Sequence, residues 1–153
     1  RTLFDIFAGA GRKAAIVAVE NSSIDLIFRG RNISYYSEKY DSEVSSRVIK
    51  LLKLDLYDLI VVYNQEYDDA IHRTTPYSRL ALRAAGRHYR TFRMLDRIVN
   101  RCWKDHDRLL LFAPDHGVHL NTETGRGDHG LDIPADMELI HFWKFGKGRR
   151  NWI

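Results

Sequence analysis

The chain has 153 residues, 44% of them hydrophobic and 29% charged, which is room for one compact domain with a core and too little for two ordinary ones. No apolar run approaches the length that spans a bilayer and no signal-peptide pattern opens the chain, so a membrane partner is not expected and a cytoplasmic location is. A formal net charge of +4 favours anionic partners, and the single cysteine, Cys102, excludes an internal disulfide.

Thr2-Leu3-Phe4-Asp5 has the form of a capping box with aspartate in its last position, and it opens a short helix that Gly9 and Gly11 end. Ala14–Val19 is a continuous apolar run, the pattern of a strand buried on both faces. The intervening Gly9-Ala10-Gly11-Arg12-Lys13 precedes a strand instead of following one, so it reads as a helix stop and not as a phosphate loop. Residues Ile24–Phe28 alternate enough for a short strand, and Ile33–Tyr36 for another. Asp41-Ser42 caps a helix with Val44, Val48, Leu51 and Leu52 on one side. A second buried strand, Leu59–Tyr63, leads into a polar loop, Asn64–His72. Thr75-Pro76 begins the longest helix, running to about Trp103, with Ala81, Ala85, His88, Phe92, Leu95, Val99 and Cys102 on one face. Leu109–Ala113 is a third buried strand, a loop follows to Gly130, and Met137–Trp143 is a last strand. Helices alternating with strands predict a single layered α/β/α domain with a largely parallel sheet and its functional loops at one edge.

Two trios are hard to explain as packing. Pro114 stops the third buried strand and Asp115-His116-Gly117 follows at once; the same trio returns as Asp128-His129-Gly130. Asp68 and His72 stand one helical turn apart, a spacing that lets a carboxylate and an imidazole face a common point. Taken singly, Asp-x-x-x-His is commonly a surface pair and Asp-His-Gly a turn. Taken together beside neighbouring strands, they supply Asp68, His72, Asp115, His116 and His129 as oxygen and nitrogen ligands. Mixed histidine and aspartate ligation suits Zn²⁺, with Mn²⁺ or iron as alternatives, and two such ions about 4 Å apart clamp a phosphoryl group.

In this order the motifs resemble the alkaline phosphatase superfamily, especially its nucleotide pyrophosphatase/phosphodiesterase and phosphomutase-like branches. There a strand leads to Asp-x-x-x-His, then a long helix, a strand ending in Asp-His-Gly, and a loop with a last histidine. Here the counterparts are Asp68/His72, the Thr75–Trp103 helix, Phe112-Ala113-Pro114-Asp115-His116-Gly117 and Gly127-Asp128-His129-Gly130. Asp136-Met137 stands where the superfamily often has Asp-Met, and Thr2 to Ala15 is similar to its helix–Gly–Lys–strand unit.

The resemblance implies two divalent ions, zinc first and manganese second. Asp68, His72 and His129 would hold one, with Asp69 an alternative to Asp68, and Asp115 and His116 parts of the other. The implied activity is that of a metal-dependent phosphoric-ester hydrolase acting on a small-molecule phosphate ester. The superfamily's first aspartate ligand and its Ser/Thr nucleophile precede the unit that Thr2 opens, and nothing here matches them. The expectation is the C-terminal part of a larger catalytic domain, with the N-terminal segment as its partner, no catalytic nucleophile of its own, weak metal binding and little turnover.

His119 and Arg126 are further candidates, for the metal or a substrate phosphate in the first case and a substrate phosphate in the second. His88 reads as an interior hydrogen-bonded histidine, and His106 and His141 carry no spacing signal. Arg79, Arg83, Arg87, Arg90, Arg97 and Arg101 form a basic stripe, read first as a solvated face, second as a contact for the preceding segment and third as a nucleic-acid surface. Lys144, Lys147, Arg149 and Arg150 read as a solvated basic tail. Nucleic acid is not among the expected partners. Two other readings stay open: a non-catalytic, partner-binding domain that keeps the fold, and a basic nucleic-acid-binding module, whose binding would weaken steeply with salt.

Overall fold

Thr2 caps α1 (Leu3–Gly9) with a reciprocal capping box: its side chain accepts the Asp5 N–H, and Asp5 accepts the Thr2 N–H at 2.6 Å. These observations come from a computed structural model that describes residues 2–149. Gly11, at φ +67°, turns the chain into β1 (Ala14–Val19), which is buried along its whole length.

The next element departs from expectation. Ile24–Phe28 is helical, within α2 (Ser23–Phe28), because Ser22 accepts the Asp25 N–H and Asp25 reaches back to the Asn21 N–H at 2.8 Å and forward to Arg29. These local bonds outweigh a five-residue alternation. Ile24 and Phe28, one turn apart, face the core, while Leu26 and Ile27 are exposed. Strand β2 (Ser34–Glu38) follows, then α3 (Asp41–Leu54), which buries Val44, Val48, Leu51 and Leu52 as the pattern requires. Asp41 does not cap it. Tyr40 is the cap residue, and Asp41 instead accepts the Gln65 N–H at 2.8 Å. Strand β3 (Leu59–Tyr63) completes a parallel sheet in the order β2-β1-β3.

Two compact units divide between Gln65 and Glu66. The second opens with α4 (Glu66–Arg73), a helix where a polar loop was expected, and continues into α5 (Arg79–Cys102). The long helix starts later than Thr75-Pro76, because Ser78 is the residue that accepts the Ala81 N–H, at 3.1 Å. Strand β4 (Arg108–Phe112) corrects a further expectation: it is neither parallel nor buried on both faces. Arg108, Leu110 and Phe112 are half-buried, whereas Leu109 is 57% and Leu111 52% exposed. Strands β5 (His119–Asn121) and β6 (Arg126–Asp128) form a hairpin within the expected loop. Pro134 opens a short helix, α6 (Pro134–Met137), so the last strand begins only at β7 (Phe142–Gly146), antiparallel to β4.

The protein is therefore mixed α/β with a three-stranded parallel sheet and two antiparallel pairs. Among the described residues no helix is long and apolar enough to cross a membrane. Arg150 lies outside the described residues.

Candidate metal centre

Helix α4 turns two faces to its surroundings. Ala70 and Ile71 are buried against Ala81 and Ala84 of α5, which leaves Asp68 and His72 on the open side. Strand β6 then packs on α4 closely enough to bring His129, the residue after Asp128, beside them. The approach depends on Gly127: its N–H donates to the Thr74 carbonyl at 2.9 Å, and a Cβ there would lie 2.7 Å from Ile71 Cβ. The hairpin turn feeding β6 is shaped by Asn121, whose Oδ1 accepts the N–H groups of Glu123 (2.9 Å) and Thr124 (3.1 Å).

Three donor atoms converge as a result. Asp68 Oδ1 lies 3.4 Å from His72 Nε2 and 3.2 Å from His129 Nε2, and the two nitrogens are 3.1 Å apart. A tetrahedral zinc site with ligand bonds of about 2.0–2.1 Å has donor–donor edges of about 3.3–3.4 Å. Octahedral magnesium would need about 2.9 Å, shorter than all three observed edges, and prefers oxygen donors. Asp68 Oδ1 is buried, yet it has no hydrogen-bond partner. Such an atom costs about 1–3 kcal/mol when nothing satisfies it. The two imidazole nitrogens can share a hydrogen bond with each other, but the carboxylate oxygen beside them has none, and a cation would suit all three. The donor set fits zinc.

His116 joins this group. Its ring stacks on His129 with centroids 3.8 Å apart, and one donor atom from each of Asp68, His116 and His129 lies within 4.8 Å of the other two. His116 Nδ1 donates to the Gly117 carbonyl at 3.0 Å, which leaves Nε2 with its lone pair free for a ligand role. Asp115 stands apart: its side chain is 54% exposed and comes no nearer to His116 Nε2 than 3.8 Å. Asp68, His72 and His129 thus form one close set, and His116 joins Asp68 and His129 in a wider one.

The expected route to that set was adjacency of β3 and β4. They belong to different sheets, and the convergence is made by α4 and β6 instead. His119 is not turned to the cluster through Nδ1, which donates to both oxygens of Asp136 at 2.9 and 3.0 Å. Arg126 is exposed on β6. Asp128 accepts the His129 N–H at 2.9 Å and the Asn121 amide at 3.0 Å; the amide first and the N–H second hold its carboxyl below the usual aspartate range. Sequence reasoning passed over Asn121 and the role of Asp136, although Asn121-x-x-x-Gly125 had the look of a turn.

Away from the cluster, Arg79, Arg83, Arg90, Arg97 and Arg101 are exposed, and Arg87 pairs with both oxygens of Glu66 at 2.6 Å. Lys144, expected to be solvated, pairs with Asp96 at 2.9 Å. No protein-family model matches this chain, and no curated protein matches its sequence.

Proposed function

We propose that this chain carries the metal-binding part of a metal-dependent phosphoric-ester hydrolase, with the layered fold of the alkaline phosphatase superfamily. The observation that carries the reading is Asp68 Oδ1, buried without a hydrogen bond between His72 and His129 at spacings that suit tetrahedral zinc. The order in which the chain supplies these residues is the order of that superfamily.

Asp68, His72 and His129 would hold one zinc ion, with His116 beside them. When bound, the cation supplies Lewis-acid stabilisation of the charge on a phosphoryl group. The remaining roles fall to side chains. Asp128 orients His129 through its backbone N–H, and Gly117 keeps His116 in the tautomer whose Nε2 accepts. Arg126, exposed on β6, offers a planar pair of donors to a phosphate. Asp115, with His116, remains the candidate for a second ion.

Zinc titration by calorimetry tests the proposal, with bis-p-nitrophenyl phosphate hydrolysis measured in parallel. The expected result is one zinc per chain, lost in His129→Ala. Zinc uptake decides the reading, and turnover is recorded beside it. A chain that takes up no zinc would refute the reading and leave the partner-binding domain in its place.

A further inference from the structure

We infer that Asp136 is the positioning residue of this metal centre: it offers no donor to the cluster, yet it ties down both loops that deliver His116 and His129. The inference rests on the metal-centre reading above.

Asp136 is 2% exposed, a burial that an ionised aspartate tolerates only when its oxygens are bonded. Its Oδ2 accepts the Leu131 N–H at 2.9 Å, and both oxygens accept from His119 Nδ1. Burial works against ionisation here, but the Leu131 N–H and His119 outweigh it and hold the carboxyl below the usual range. The backbone takes part as well, since the Asp136 carbonyl accepts the Gly117 N–H at 2.7 Å. One residue thereby grips the chain directly after His116, the chain just after His129, and the strand between them.

Two features separate this from ordinary helix stabilisation. Asp136 sits in α6, which has only four residues, and none of these side-chain bonds serves that helix. The approach is also as tight as backbone permits: a Cβ on Gly117 would lie 2.0 Å from the Ala135 carbonyl oxygen. The His116 loop rests on α6, not on a strand partner. The stacked placement of His116 on His129 then follows from a shared anchor.

Groups that orient metal ligands commonly change affinity by about 10–100-fold when removed, and Asp136 acts on the residue after His116 and the second residue after His129. Zinc dissociation constants are to be measured on the full chain by competition with a chromophoric chelator, for wild type, Asp136→Ala and Asp136→Asn. Urea unfolding and far-UV circular dichroism define conditions in which each is folded. We expect Asp136→Ala to weaken zinc binding by about 10–100-fold under those conditions. Asp136→Asn keeps an acceptor for Leu131 but no longer fixes the His119 proton. It should weaken binding by at least about fivefold, and long-range ¹H–¹⁵N correlation should show His119 leaving the Nδ1–H tautomer. A merely structural role would lower the urea midpoint and leave zinc affinity within about threefold of wild type, which overturns the inference. If Asp136→Ala does not fold, Asp136→Asn decides by the same criterion. Wild type that binds no zinc removes the metal-centre reading and this inference together; wild type that binds while the variants match it removes this inference alone.

Discussion

Gly127→Ala puts the link between packing and the metal centre to its hardest test. The added Cβ would stand 2.7 Å from Ile71 Cβ and 3.0 Å from the Ile71 carbonyl oxygen. Carbon atoms rest at about 3.5–4.0 Å, so β6 must retreat from α4 by about 1 Å. Overpacking of this kind costs about 1–3 kcal/mol, and the 2.9 Å bond from Gly127 N–H to Thr74, worth about 1 kcal/mol, is put at risk as well. His129 rides on the end of β6 and Asp68 on α4, so the same retreat stretches their 3.2 Å separation to about 4 Å. That is too wide for one tetrahedral zinc ion to bond both at ordinary length. The variant should therefore lose about 2–4 kcal/mol in urea unfolding and at least about tenfold in zinc affinity, read by calorimetry. The obstacle is Ile71 Cβ and backbone, which Ile71→Ala leaves in place, so the double variant Gly127→Ala/Ile71→Ala should recover neither. A single variant indistinguishable from wild type would show that the α4–β6 contact does not set the donor spacing; recovery in the double variant would move the obstacle to the Ile71 side chain beyond Cβ.

Two predictions concern the first unit. Ile16→Ala removes a fully buried side chain from the middle of β1 and should cost about 2–5 kcal/mol in urea unfolding; a loss below about 1 kcal/mol would mean that the β1 core is loosely packed. The Tyr57 hydroxyl, 2.8 Å from that of Tyr36, raises the Tyr36 pKa, with burial adding to it. A raised folded value gives stability that is fully present below the ordinary tyrosine value of about 10 and is lost as pH climbs through the raised one. Burial also raises Tyr35 and Tyr67, so alkaline titration at 295 nm should show one late-titrating tyrosine fewer in Tyr36→Phe than in wild type, and the variant's stability should fall less over the same range.

What the sequence revealed and what it hid divide along a physical line. Short-range chemistry was legible where a residue acts within one turn of itself. Thr2 and Asp5 closed the box that their spacing announced, Ala14–Val19 formed the fully buried strand, and Val44, Val48, Leu51 and Leu52 shared a buried face. Ser22 and Asp25 carry the same signature as Thr2 and Asp5, so the misreading of Ile24–Phe28 was a failure to weigh a cap against an apolar alternation. Strand partners were less legible, because Leu109–Ala113 looks alike whether covered on two faces or one. Bonds between distant segments were not legible at all. Nothing in Asp136-Met137 tells that the carboxylate meets His119 and Leu131, or that Gly117 needs to be glycine against Ala135.

The same line explains why the clustered acidic and histidine residues were legible and the residues that hold them together were not. Asp68 and His72 betray themselves by spacing, and His116 and His129 by repetition of a trio. Asp136, Gly117 and Gly127 act by filling or vacating space next to residues far away in the chain. A cation requires donor atoms placed to a few tenths of an ångström, and side chains on α4, a loop and the end of β6 do not hold such tolerance by themselves. The precision has to come from rigid neighbours, and here it comes from two backbone approaches too close for a Cβ and from buried Asp136, whose carbonyl holds the chain after His116 and whose carboxylate holds the chain after His129. Zinc affinity should for that reason fall as steeply for Gly127→Ala as for loss of a ligand's orienting bond, although glycine has no side chain to offer a metal.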